Sequence, residues 1–209
     1  MQHTTPPSRR AYVLAGVVAL TLTVALGALV AVRERVGLDE SWMTTVLSWR
    51  DPLGESLSRV FDFLGGGWFA IFAVPLGVAA AFVLARRPWH ALSFLLASAV
   101  SAGICQVLKA AFGRARPEQI LLPLDNGSFP SGHATNAAVI AVLLGLLFRR
   151  AWVWVLGMLY LVVMAFTRTY LGAHWVTDTV GGALLGAGVA LLVWCLLLPK
   201  LRQEPSPRG

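Results

Sequence analysis

The sequence predicts an all-α protein, a polytopic membrane bundle of six transmembrane helices in a single domain over residues 1–209. Three observations carry that prediction. Of the 209 residues 57% are hydrophobic and 13% charged, with mean hydropathy +0.70, whereas a water-soluble domain carries roughly twice that share of charge. The apolar residues fall in blocks of about 20, the length an α-helix needs to cross ~30 Å of hydrocarbon. The charges gather between those blocks. The net charge of +7 does not mark a nucleic-acid binder, because the basic residues are split among short loops and form no continuous stripe.

The elements follow in chain order. Residues 1–10 are polar and read as a flexible cytoplasmic tail. Ser8-Arg9-Arg10 faintly resembles a twin-arginine export signal, but the apolar run behind it is too long for a signal sequence and reads as a retained first span over 12–32. Residues 33–63 are mixed in charge. Leu38, Trp42, Val46 and Trp49 recur there at helical spacing, which fits either a helix along the membrane surface or a loop helix packed on the bundle. Gly65-Gly66-Gly67 joins this segment to a second span over 68–85, with Pro75 as a candidate kink. After the turn Arg86-Arg87-Pro88 comes a third span over 89–111. A polar loop over 112–129 precedes a fourth span over 131–148. Arg149-Arg150 is the next turn, and 152–167 a fifth span. A short segment over 168–173 leads to a sixth span over 174–198, and 200–209 is a second flexible cytoplasmic tail. Gly181, Gly182, Gly186 and Gly188 give the sixth span a small-residue face suited to close packing. Cys105 and Cys195 lie inside apolar blocks and read as packing residues.

Six spans place both termini on one side. The basic turns Arg86-Arg87 and Arg149-Arg150 fall on that side too, which assigns it to the cytoplasm. Three polar segments then share the outer face: 109–117, 128–133 and 168–178. Ser131 suits a helix N-cap. Gly132 lets the backbone approach a ligand closely, and His133 falls in the first helical turn. A helix start with unpaired N–H groups attracts anions. His174 and Asp178 are spaced i, i+4 and are expected on one helix face, where the carboxylate accepts one imidazole proton and frees the other nitrogen to attack. Lys109, Arg116 and Arg168 supply three cations for a multiply charged oxyanion. With one histidine attacking phosphorus and the other protonating the departing oxygen from the opposite side, the set can run an in-line displacement through a phosphoenzyme. The protein's own cations can stabilise the transition-state charge.

These segments resemble the three signature motifs of the type 2 phosphatidic acid phosphatase superfamily: Lys109-x6-Arg116-Pro117, Pro130-Ser131-Gly132-His133 and Arg168-x5-His174-x3-Asp178. The third motif usually opens Ser-Arg, and here it is Thr167-Arg168. The resemblance implies a six-span bundle with its site near the outer membrane–water interface of the cell membrane. It implies His174 as nucleophile, Asp178 as its orienting carboxylate and His133 as the acid. Lys109, Arg116, Arg168, Ser131 and the Gly132 backbone are implied as the phosphate cradle. No metal or other cofactor is expected, and no Asp/Glu cluster suggests one. The implied partners are the bilayer and a lipid phosphate, with a polyprenyl diphosphate such as undecaprenyl diphosphate first and phosphatidylglycerophosphate or phosphatidic acid as alternatives. Vanadium-dependent haloperoxidases carry the same motifs but are soluble. A non-enzymatic headgroup binder or transporter would not need His174 paired with Asp178. Arg114 lies outside the matched positions and is expected to tolerate alanine.

Overall fold

The computed structural model describes residues 8–33, 36–124 and 127–204, and every regular element among them is helical. The eight α-helices are α1 Arg9–Val32, α2 Gly37–Ser48, α3 Pro52–Gly65, α4 Val74–Leu84, α5 Pro88–Phe112, α6 Gly132–Phe148, α7 Ala151–Tyr170 and α8 Val176–Leu201. A π-helical turn, Phe69–Ala73, runs directly into α4. Local chemistry explains several ends. Ser8 accepts a hydrogen bond from the Ala11 N–H, so α1 starts ahead of the predicted residue 12. Asp51 accepts from the Gly54 N–H, and Pro52 occupies the first turn of α3. Gly113, with φ +55°, closes α5 in the left-handed conformation that glycine adopts without steric cost.

All six predicted spans correspond to helices, but among the described residues the number long and apolar enough to cross a membrane is four: α1, α5, α7 and α8. The predicted second span reaches that length only when α3 is joined to the π-turn and α4, a pair bent by 42°. The bend falls at the glycines. Gly65-Gly66-Gly67 interrupts the helix at the break itself, and Pro75, offering no N–H to the ladder, follows where the π-turn gives way to α4. The predicted fourth span, α6, has 17 residues. Large apolar side chains project outward from the long helices, among them Leu14, Leu22, Val155 and Val162. Together these features describe a multi-pass membrane protein.

Helix α8 lies at the centre and packs on α1, α5 and α6. Its glycines explain how, because hydrocarbon offers no hydrophobic drive between helices and close approach must supply the attraction. Gly182 and Gly186 abut the α6 backbone at Ser131 and Thr135, and Gly188 abuts Gly16 and Leu20 of α1. The core between them joins Phe94, Ala97 and Cys105 of α5 to Val139 and Leu143 of α6 and Leu185, Val189 and Val193 of α8. Both cysteines are buried free thiols.

The segment 33–63 resolves into two different helices. Helix α2 packs on α7, with Met43 and Val46 against Tyr170. Its buried face is Asp39, Met43 and Val46, not the predicted Leu38–Trp42–Val46–Trp49 stripe; Leu38 and Trp49 are exposed. Helix α3 turns Leu53, Leu57, Val60 and Phe63 outward, as an interfacial helix does. Only parts of the two expected tails are described. Arg9 and Arg10 already belong to α1, while 1–7 lie outside the described residues. At the other end Glu204 accepts from the N–H groups of Trp89 (2.5 Å) and His90 (3.2 Å) at the start of α5, while 205–209 lie outside the described residues.

Candidate active site

Four helix ends meet at one end of the bundle: the last turns of α5 and α7 and the first turns of α6 and α8. They bring the three predicted segments together. Lys109 sits in the last turn of α5, and its ammonium donates to the carbonyls of Gly127 (2.6 Å) and Ser128 (3.4 Å). Arg116 donates to the same Gly127 carbonyl (3.3 Å) and to the carbonyl of Ala173, next to His174. The loop that holds these two cations is fixed by Ser128, whose N–H donates to the Arg114 carbonyl (2.9 Å) and whose hydroxyl donates to the Ala115 carbonyl (3.1 Å). Ser131 caps α6 as predicted, accepting from Ala134 N–H (3.5 Å), while its own N–H donates to the Asp178 carbonyl (2.9 Å). That last bond ties the α6 start to α8.

Arg168 is not in a loop. It belongs to the last turn of α7 and is fully buried. Its carbonyl accepts from the N–H groups of Ala173 (3.0 Å) and His174 (3.3 Å), which wraps the chain back around the helix end. Gly172 allows that wrap. Its φ is +66°, and a Cβ there would lie 2.7 Å from the Gln119 carbonyl oxygen. The Arg168 guanidinium pairs with Asp62 of α3 and donates to Nε2 of His133 (2.8 Å). Its Nε and Nη2 are buried and have no hydrogen bond among the described residues. Nε2 of His133 is also 3.2 Å from the Asp62 carboxylate and 3.1 Å from its carbonyl oxygen.

His174 departs from expectation. Helix α8 begins at Val176, so His174 precedes the helix instead of sharing a face with Asp178. The chain fold still brings them close, with Nδ1 3.5 Å from Asp178 Oδ2. This is ion-pair distance without a formed hydrogen bond, and Oδ2 also accepts from the Trp175 N–H at 2.8 Å. Burial lowers the His174 pKa to about 3; Asp178 opposes that fall, while Lys109 and Arg116 add to it. The imidazole is therefore neutral at physiological pH.

A cavity of about 490 Å³ opens onto this cluster. Lys109, Arg116, Gly132, His133 and His174 line it at the cluster; Ser131, Arg168 and Asp178 are not among its lining. The cavity follows α5 from Lys109 back to Leu95, about 21 Å at 1.5 Å per residue. Phe72, Pro75 and Leu76 of the bent pair line its far side. Among the described residues, no group of three or more His, Cys, Asp and Glu side chains is placed to hold a metal ion.

Three charged residues of this region escaped the sequence reading. Arg114, expected to tolerate alanine, is buried and donates to Asp178 (2.5 Å) and Asp39 (2.7 Å). Asp39 had one legible signal: it lies i, i+4 and i, i+7 from Met43 and Val46, on the apolar face of α2. No spacing marks Asp62, which meets its partners only in the folded chain.

Comparison with known proteins agrees with this architecture. Phosphatidylglycerophosphatase B of Bacillus subtilis is 27% identical over 173 residues, covering 77% of this chain and 78% of that protein. An undecaprenyl-diphosphatase of Sulfolobus acidocaldarius is 38% identical over 82 residues, so the match spans 39% of either protein. Among solved structures, the transmembrane PAP2-type phosphatidylglycerolphosphate phosphatase of Bacillus subtilis superposes with TM-score 0.76 at 25% identity, over 92% of this chain and 98% of that one. Aquifex aeolicus LpxE superposes with TM-score 0.67 at 25% identity, over 77% and 97%. Residues 90–202, which contain all three motifs, match the family model described as PAP2 superfamily, and the chain belongs to that family.

Proposed function

We propose that this protein is a membrane lipid phosphatase that works through a phosphohistidine. The observation that carries the reading is the cavity. One end holds two cations, two imidazoles and a helix start, and most of the remaining lining, along α5 and the bent pair, is apolar. A phosphate anchored at the polar end leaves its lipid tail in the groove, and a site at a helix-end plane matches the depth of a headgroup.

The geometry supports the following roles. Lys109 and Arg116 hold phosphate oxygens, Arg168 adds positive charge from outside the cavity lining, and the Ser131-Gly132 turn completes the cradle. Neutral His174, its Nδ1 facing Asp178, attacks phosphorus through Nε2. The P–O bond to the lipid breaks, and His133 supplies the proton that the leaving oxygen takes. Water then attacks the phosphohistidine with His133 as base, the P–N bond breaks, and inorganic phosphate and free His174 result. Each step uses groups of this chain.

A polyprenyl diphosphate is the first reading, its long hydrocarbon tail suited to the largely apolar lining along α5. A phosphatidylglycerophosphate reading is favoured by the extent of the similarity to the two Bacillus subtilis phosphatases. Residues 1–209 act as one membrane-embedded domain in the cell membrane. Arg86-Arg87 and Arg149-Arg150 stand at the end opposite the site, which supports cytoplasmic termini and an outward-facing site. The test is phosphate release by purified protein in detergent with EDTA present. Undecaprenyl diphosphate, phosphatidylglycerophosphate and phosphatidic acid are offered side by side, with His174→Ala as control. Release that vanishes in the control establishes the activity, and the rate ratio names the lipid. Equal release by His174→Ala refutes the mechanism.

A further inference from the structure

Asp178 can serve His174 only if its carboxylate is held, and residues outside the three motifs hold it. Its Oδ1 accepts from Arg114 Nη1 at 2.5 Å. That leaves Oδ2 to the Trp175 N–H and to the imidazole side. Arg114 is fixed in turn. Its Nη2 donates to Asp39 Oδ2 (2.7 Å), its Nη1 also donates to the Thr177 hydroxyl (2.7 Å), and its guanidinium stacks over Trp175 at 5.6 Å. Asp39 then returns to α8. Its Oδ1 accepts from the Thr177 N–H (3.0 Å) and its Oδ2 from the Thr177 hydroxyl (2.7 Å). Arg114, Asp39, Thr177 and Asp178 are all buried.

We propose that Arg114 and Asp39 are positioning residues that aim the Asp178 carboxylate at His174. The inference rests on the phosphatase reading. Two physical points favour it over a mere staple between α2 and α8. A buried ion pair contributes little to stability compared with apolar packing of the same volume, so a two-carboxylate, one-guanidinium cluster is a poor staple. The planar guanidinium also presents donors at fixed angles, which sets the direction of each carboxylate as well as its distance. Helix α2, distant in sequence from every motif, thereby becomes part of the site.

Arg114→Ala leaves two buried carboxylates unpaired and can prevent folding, so the test uses Arg114→Lys and Asp39→Asn. Each is made alone and combined with Asp178→Asn, and phosphate release is measured on whichever of the three lipids the wild type hydrolyses. Each single change lowers kcat about tenfold or more with KM within about twofold, because the phosphate-binding cations are untouched. In the Asp178→Asn background the same changes lower kcat less than about threefold, since the carboxylate they position is no longer ionic. Equal fold-losses in both backgrounds, or single variants with wild-type kcat, overturn the proposal. Diethylpyrocarbonate labelling followed by mass spectrometry gives a readout that needs no substrate. Both variants change the labelling rate of His174 by about threefold or more, and that of His133 stays constant; unchanged His174 labelling overturns the proposal. A wild type inactive on all lipids refutes the phosphatase reading, while the labelling still decides the positioning claim.

Discussion

Gly127→Ala tests whether the loop before α6 sets the phosphate-binding cations. The Gly127 carbonyl accepts from both Lys109 Nζ and Arg116 Nη2. A Cβ on residue 127 would lie 2.6 Å from the Lys109 carbonyl oxygen, whereas ordinary contact begins at 3.4 Å. The gap must widen by about 0.8 Å. The neighbouring Ser128 cannot follow freely, because its N–H and hydroxyl are bonded to the Arg114 and Ala115 carbonyls. The 127 peptide must therefore rotate or shift and carry its carbonyl with it, moving both cations. A misplacement of ~1 Å at a reacting centre costs about 10²-fold in rate, so kcat/KM falls between about 10- and 100-fold. Overpacking costs about 1–3 kcal/mol of stability. The assay is metal-free phosphate release with a thermal unfolding curve in the same detergent. Gly103→Ala is the matched control. Nothing lies within 4 Å of a Cβ there, so it keeps full activity and gains about 1 kcal/mol of helix propensity. Gly127→Ala with kcat/KM within twofold of Gly103→Ala refutes the reasoning.

Three further outcomes are expected. His174, with pKa about 3 in the folded protein against 6.5 when unfolded, binds its proton more readily in the unfolded chain between those values. Its contribution to stability is therefore complete above pH 6.5 and declines as pH falls towards 3. Thermal midpoints of wild type and His174→Asn should converge over that range, and parallel curves would contradict it. Asp62→Asn removes the carboxylate that pairs with Arg168 and His133 and lowers kcat about tenfold; phosphate-release kinetics check this, and a loss below twofold excludes Asp62 from the site. Ala102→Phe fills the apolar groove. It raises KM for long-chain lipids by about tenfold or more, since burying tail CH₂ groups contributes about 0.8 kcal/mol each, and leaves hydrolysis of a short-chain phosphate within about twofold. Equal effects on both substrates refute the groove assignment.

The sequence by itself determined the helices and which of their ends carry the chemistry. Blocks of apolar residues at membrane length are a local property, so each predicted span coincides with a helix to within a few residues. Lys109, Arg116, Ser131 and His133 are positioned by their own helix ends and short loop, and their convergence at one end follows from counting crossings. The tertiary structure decided the rest. The 168–173 segment looked like loop, yet α7 runs through Arg168 to Tyr170, and the Arg168 carbonyl closes its end by accepting from 173 and 174. His174 reaches Asp178 by that wrap, not by helical periodicity. Asp39 and Arg114 are 75 residues apart, and Asp62 and Arg168 are 106 apart. A charged residue bound to such a distant partner carries the local pattern of an exposed one. Periodicity fixes which residues share a face, whereas the meeting of two faces is settled only when close packing on the α8 glycines brings α5, α6 and α8 into register.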